Sequence, residues 1–292
     1  MAKRFSKYFR FIGICWIITI QITPSTAFAL DDLSVIQYIP NYLSVDYGRD
    51  NDNGRSTFIY ANLGLSLSDR LIVGAGEQLE TVSRSDESLN NKTYLLGYSY
   101  VPSYQAQAGA EYEFWGDRDK VTIDSFRAVL AFNAGKFAIT VTPEFRKLKI
   151  SNDSQCDEDI DSGAAKIDFS VDVHEDYTLN LGYVAYDYSN NLTQLAECVA
   201  SSEKLEIESR IDSVANDTVL TLGLDFYRNT ESYGGYLMRS KTALNFEISR
   251  TLSLYASTDR FDDWTLTVTA GVTENLDNST TTFLSGTATY YW

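Results

Sequence analysis

The sequence predicts an all-β chain, a transmembrane up-and-down antiparallel β-barrel of about fourteen strands, within a range of roughly twelve to sixteen. Three observations carry this. Apolar and polar residues alternate along most of the chain, an export leader opens it, and no later stretch is apolar for long enough to form a spanning helix. A closed barrel is the other structure that satisfies its backbone inside a bilayer.

The leader has Lys3, Arg4, Lys7 and Arg10 and no acidic residue before Asp31; an apolar run from Phe11 to Ile20 follows, then the small-x-small site Ala27-Phe28-Ala29. That order describes a secretory signal peptide over residues 1–29, cleaved after Ala29. Residues 30–41 are expected to be a periplasmic lead or a segment plugging the lumen, and residues 42–292 the barrel.

Within the barrel, Tyr94, Leu96, Tyr98 and Tyr100 share one face of a segment. Ala106, Ala108, Ala110, Tyr112 and Phe114 oppose Gln105, Gln107, Gly109, Glu111 and Glu113 in the next. The same period continues through Phe126–Phe132, Phe137–Phe145, Ile167–Val173 and Tyr177–Tyr183, then through Leu205–Ile211 and Leu220–Phe226. Thr242, Leu244, Phe246 and Ile248 are read as pairing with Leu252, Leu254 and Ala256 across a turn at Ser249-Arg250, and Trp264–Val272 follows. Successive side chains of a strand point to opposite faces, so each run is one amphipathic strand. Short turns are expected at residues 68–70, 102–103, 133–135, 175–176, 216–217 and 249–250. Longer polar loops are expected at 50–55, 80–91, 149–165, 188–203 and 229–235. The alternation yields about fifteen candidates, but a single-chain barrel with both termini on one side needs an even number. The excess strand is expected within residues 252–292.

The net charge is −16, and loss of the basic leader makes the exported chain more acidic still. This excludes nucleic acid as a partner. Cys156 and Cys198, the two cysteines outside the leader, lie in loops separated by one hairpin and are expected to form a disulfide. Two cysteines and a single histidine are too few for a soft-metal site, and no cofactor is implied.

The last strand ends Ala288-Thr289-Tyr290-Tyr291-Trp292, with Leu284, Gly286, Ala288, Tyr290 and Trp292 on one face. A terminal aromatic preceded by apolar residues at alternate positions resembles the final strand of bacterial outer-membrane β-barrel proteins, the porin-like superfamily in general. The resemblance implies the outer membrane of a Gram-negative cell and makes Tyr290 and Trp292 the signal read by the barrel-assembly machinery. It also implies outer-membrane lipid and lipopolysaccharide as surroundings.

In such a barrel the apolar stripe faces lipid and the polar stripe the lumen. The lumen is expected to carry Glu111, Glu113, Glu144, Asp168, Asp172, Glu206, Glu208, Asp225 and Glu247 against Arg127, Arg146, Arg210 and Lys241. Such a lining favours cations. Tyr47, Tyr60, Tyr100, Tyr112, Phe114, Tyr177, Trp264, Tyr290 and Trp292 are expected in aromatic girdles. No catalytic set is visible: His174 abuts the turn Glu175-Asp176, and no Gly-x-Ser-x-Gly occurs. Asp157-Glu158-Asp159-Ile160-Asp161 has the alternate carboxylates of a calcium loop but Ser162 where that loop needs glycine, so a solvated acidic loop is expected. The sequence therefore points to a non-enzymatic, porin-like channel for small hydrophilic solutes. The alternative is a non-conducting barrel acting in adhesion, ligand binding or envelope structure through its long loops.

Overall fold

The computed structural model describes residues 40–292, except 52, 82–87, 104, 118–120, 152–156, 190–214, 244–245, 247, 262 and 275–279. Fourteen strands are formed: β1 (Tyr42–Asp50), β2 (Arg55–Gly64), β3 (Asp69–Thr81), β4 (Ser88–Ser103), β5 (Ala106–Asp117), β6 (Val121–Asn133) and β7 (Phe137–Ser151) make the first half. The second half is β8 (Asp157–His174), β9 (Tyr177–Tyr188), β10 (Asn216–Arg228), β11 (Glu231–Thr242), β12 (Ile248–Phe261), β13 (Trp264–Glu274) and β14 (Thr280–Tyr291). Each pairs with its sequence neighbours, and β1 closes on β14 with Tyr42 opposite Tyr291 and Asp50 opposite Phe283. Closure removes both sheet edges, so every strand satisfies its backbone within the ladder. The backbone N–H of Trp292 donates to Asn41 O at 3.1 Å, placing the two ends of the barrel segment side by side.

Outward positions carry large apolar side chains that remain exposed, such as Leu96, Tyr98, Phe126, Leu130, Phe145, Leu222, Leu237 and Leu254. Exposed apolar surface on this scale is tolerated where the solvent is lipid. At the end carrying Asn41 and Trp292 the outward rings form a near-continuous belt. Tyr177 meets Phe226 at 4.9 Å, Phe226 meets Tyr233 at 6.5 Å, Trp264 meets Tyr290 at 5.0 Å and Tyr290 meets Trp292 at 5.9 Å. Tyr60 is a correction: it points inward and packs on Tyr42 at 5.6 Å.

The connections differ from the expected ones in both halves. The loop placed at 149–165 is mostly strand and the one placed at 80–91 is strand at both ends, because β3 runs to Thr81, β4 starts at Ser88, β7 runs to Ser151 and β8 starts at Asp157. The acidic run Asp157–Asp161 therefore belongs to β8, and the Asp159 carboxylate is bound by the ammonium of Lys147 on β7. After β9 the expected alternation is out of step by one strand. Residues 216–217 begin β10, and residues 229–235 are not a loop: a two-residue turn, Asn229-Thr230, leads straight into β11. Asn229 holds φ +54, a left-handed turn conformation that asparagine tolerates. Ser249 and Arg250 lie inside β12, paired with Ser240 and Arg239. The excess candidate is not within residues 252–292, which form the rest of β12, β13 and β14. β9 pairs directly with β10 over nine register positions. The run 205–212 lies outside the described residues, as do the leader, residues 30–39, and Cys156 and Cys198.

Candidate functional site in the barrel interior

The inward stripe is organised as three chemically distinct sectors. The first spans β5 to β9. Glu111, Glu113 and Trp115 of β5 alternate inward, opposite Arg127, Ser125 and Ile123 of β6; Glu144 of β7 lies opposite Arg127. The Arg127 guanidinium is thereby placed among three carboxylates, at 2.7 Å from Glu113, 3.1 Å from Glu144 and 3.7 Å from Glu111. Arg146 donates to Glu144 at 2.7 Å and stacks its guanidinium 4.3 Å over the Tyr186 ring. Tyr186 in turn donates its hydroxyl to Glu144 at 3.3 Å. All are largely buried, Glu144 being only 9 % exposed, and buried charge is tolerated when paired and hydrogen-bonded in this way. On β8, Lys166 bridges to Asp168 at 3.0 Å, and Thr178 donates to Asp172 at 2.6 Å close to the β8–β9 turn.

Beyond this network, away from the termini, the stripes exchange character. Val121, Ile123, Leu148, Ile150 and Ile160 point inward and form an apolar cluster with Trp115 and Ala215, while Asp124, Lys147, Lys149, Asp159 and Asp161 point outward. Val121, Ile150 and Ile160 have no exposed surface. The strands stay in register, with no bulge between Val121 and Arg127, so the polarity inverts while the geometry continues. A strand leaving the bilayer meets water outside, and its apolar side chains find burial only within. The inversion marks that boundary. It also corrects the expectation of a uniformly polar interior.

The second sector surrounds Asp225 of β10. Asn180 donates to its carboxylate at 2.7 Å, Tyr236 at 2.9 and 3.1 Å, and Tyr255 at 2.8 Å. No basic side chain pairs with it among the described residues; neutral donors hold the charge instead. The rings reach it because they cross glycines. A Cβ at Gly223 would lie 2.4 Å from the Tyr236 ring, and one at Gly234 would lie 2.2 Å from the Tyr255 ring.

The third sector, from β11 through β14 to β1, is lined mostly by short hydroxyl side chains bonded across the ladder, with the Phe283 ring of β14 crossing Gly271 of β13. Ser240 pairs with Ser249 at 2.7 Å, Thr251 with Thr273 at 3.0 Å, Ser257 with Thr267 at 2.8 Å and Ser44 with Thr289 at 3.0 Å. Asp46 accepts from Thr287 here.

Of the residues expected on the inner face, Glu111, Glu113, Arg127, Glu144 and Arg146 come together, Asp168 and Asp172 line β8 below them, and Asp225 stands apart on β10. Glu206, Glu208, Arg210 and Glu247 lie outside the described residues. Lys241 is a correction: it points outward, bonding Asp217 at 2.7 Å over the Phe246 ring. The sequence reading missed inward Asp46, Arg70 and Lys166. Arg70 is 2 % exposed, and it lies in β3 within the turn expected at residues 68–70. His174 is exposed at the β8–β9 turn, its ring edge-on to Tyr177 at 5.9 Å and away from the interior networks. Among the described residues no group of histidine, cysteine and carboxylate side chains is arranged to hold a metal ion.

No model of a known protein family matches the chain, and no curated protein matches it. Solved structures do. A Pseudomonas aeruginosa FadL homologue superposes with a TM-score of 0.54 at 7% identity, over 86% of this chain and 89% of that one. The NanC porin matches with a TM-score of 0.47 at 8% identity, over 85% and 98%, and the KdgM porin with 0.44 at 11%, over 86% and 99%. With its closed ladder and apolar outer stripe, the chain has the fold of a bacterial outer-membrane β-barrel.

Proposed function

We propose that the protein is a porin-like channel of the outer membrane for small hydrophilic solutes, leaning towards cations, and not an enzyme. The observation that supports this reading best is the hydroxyl-lined sector. Fourteen strands enclose a wider interior than the eight whose side chains fill a barrel. Over β11 to β1 the inward stripe is mostly short serine and threonine side chains, and the proposed water path runs along it. The cation preference rests on the inward acids Asp46, Glu111, Glu113, Glu144, Asp168, Asp172 and Asp225, which outnumber Arg70, Arg127, Arg146 and Lys166. Tyr290 and Trp292 are proposed as the end recognised by the barrel-assembly machinery, and lipopolysaccharide as the outer-leaflet neighbour.

The test is single-channel conductance of the refolded protein in a planar bilayer under a salt gradient. Steady steps with a cation-leaning reversal potential are expected, and E111Q/D168N should move that potential towards anions. A folded, heat-modifiable barrel giving no steps would overturn the channel reading in favour of a non-conducting barrel.

A further inference from the structure

The outward face of β10 to β13 carries a feature that the channel reading does not use. Leu222, Leu237, Leu252 and Val272 are successive partners across four strands and form one apolar row. The next outward row, one step further from the termini, reads Leu220, Arg239, Arg250 and Glu274. The two rows line an open groove of about 560 Å³ on the outside of the barrel. Arg239 and Arg250 are direct cross-strand partners, an arrangement that like charges disfavour. Arg250 reaches Glu274 at 3.2 Å, but Arg239 makes no ion pair among the described residues, so the row keeps an unmatched positive charge. The next base outward, Lys241, is taken by Asp217.

An apolar groove below a pair of guanidinium groups, at the edge of the lipid-facing band, matches one chemistry. A phosphate monoester offers several acceptor oxygens and close to two negative charges to two forked donors. Acyl chains attached to it would lie along the leucine row. We infer that this groove is a binding site for a phosphorylated, acylated lipid of the outer leaflet, of the lipid A class. Arg239 and Arg250 grip the phosphate, and Leu237 and Leu252 hold a chain. The phosphate relieves the repulsion between the arginines, and Glu274 weakens its hold by competing for Arg250. The inference rests on the outer-membrane placement but not on conduction, so a silent channel leaves it intact.

The experiment is native mass spectrometry of the refolded full chain in detergent, titrated with bisphosphorylated lipid A, with heat-modifiable migration confirming that each variant is folded. The wild-type chain should retain lipid A, and R239Q/R250Q should bind it about tenfold more weakly or worse. E274Q should bind it more tightly, a change of sign that general damage to the barrel would not produce. Equal retention by the folded R239Q/R250Q variant would overturn the site. Equal retention of dephosphorylated lipid A would reduce it to apolar adsorption and also overturn it. Competition by millimolar inorganic phosphate as effective as that by lipid A would show an anion site without the lipid, and would overturn the commitment to a lipid.

Discussion

The two halves of the barrel interior solve one problem in opposite ways. From β5 to β9 the inward stripe carries full charges, most of them held by counter-charges: Arg127 of β6 holds Glu113 of β5 and Glu144 of β7. From β11 round to β1 the stripe carries hydroxyls that bond in neighbouring pairs, such as Thr251 with Thr273. A hydroxyl both donates and accepts, so each hydroxyl pair closes on itself without a counter-charge. An ionic network is not self-sufficient in this way. Removing one ion leaves its partners buried and uncompensated. The difference makes the charged sector the stiff, cohesive one, and the proposed water path of the channel runs along the hydroxyl sector.

The sharpest way to break this contrast is Arg127→Met. It strips the shared base from three carboxylates and is expected to cost about 3–5 kcal/mol, read as a lower urea midpoint for the barrel refolded in lipid vesicles. A midpoint close to wild type would show that water already solvates these acids and that the network is not structural. Next is the apolar crown above the network. Leu148→Ala removes a side chain that is only 3 % exposed and should cost about 2–5 kcal/mol, with faster protease cleavage at the end of the barrel opposite the termini. An unchanged cleavage rate would mean that the crown does not depend on its interior packing. Gly223→Ala comes third. Its Cβ would meet the Tyr236 ring at 2.4 Å, pushing it off Asp225 at a cost of about 1–3 kcal/mol. If the urea midpoint does not move, the ring has another resting place.

The membrane-facing part of the fold was readable because lipid outside and polar groups inside impose period two with a fixed polarity, as in Ala106–Phe114 or Phe137–Phe145. What was misread follows from two physical facts. The first is that the polarity inverts where a strand leaves the bilayer. Leu148 and Ile150 share parity with Glu144 and Arg146, and the switch from odd to even apolar positions was in the sequence. Read as loss of pattern, it turned strand into loop. The second is that periodicity alone does not locate turns. The Asn229-Thr230 turn needs only one left-handed residue and carries no glycine or proline. The turn between β11 and β12 was therefore placed at 249–250, which carried one parity through residues 242–248 and put Lys241 on the wrong face. The charged cluster was legible residue by residue, but which acids share Arg127 depends on cross-strand register, which no local pattern encodes. The tyrosine ring around Asp225 was out of reach for the same reason, since its members come from β9, β10, β11 and β12.

The smallest expected effect tests the other side of the contrast. Thr251→Val keeps the shape of a side chain that is only 4 % exposed and removes the hydroxyl that bonds Thr273. If the sector meets water, Thr273 recovers a partner from solvent, the cost stays near or below about 0.5 kcal/mol, and valine's preference for strands offsets part of it. If the sector is dry, the orphaned hydroxyl costs about 1–3 kcal/mol. The urea midpoint of this one variant therefore reports whether the lumen is filled with water, by a measurement that needs no current. A midpoint near wild type is expected. A drop comparable to that of Gly223→Ala would place the Thr251–Thr273 pair in a packed interior and remove the main support for an open pore.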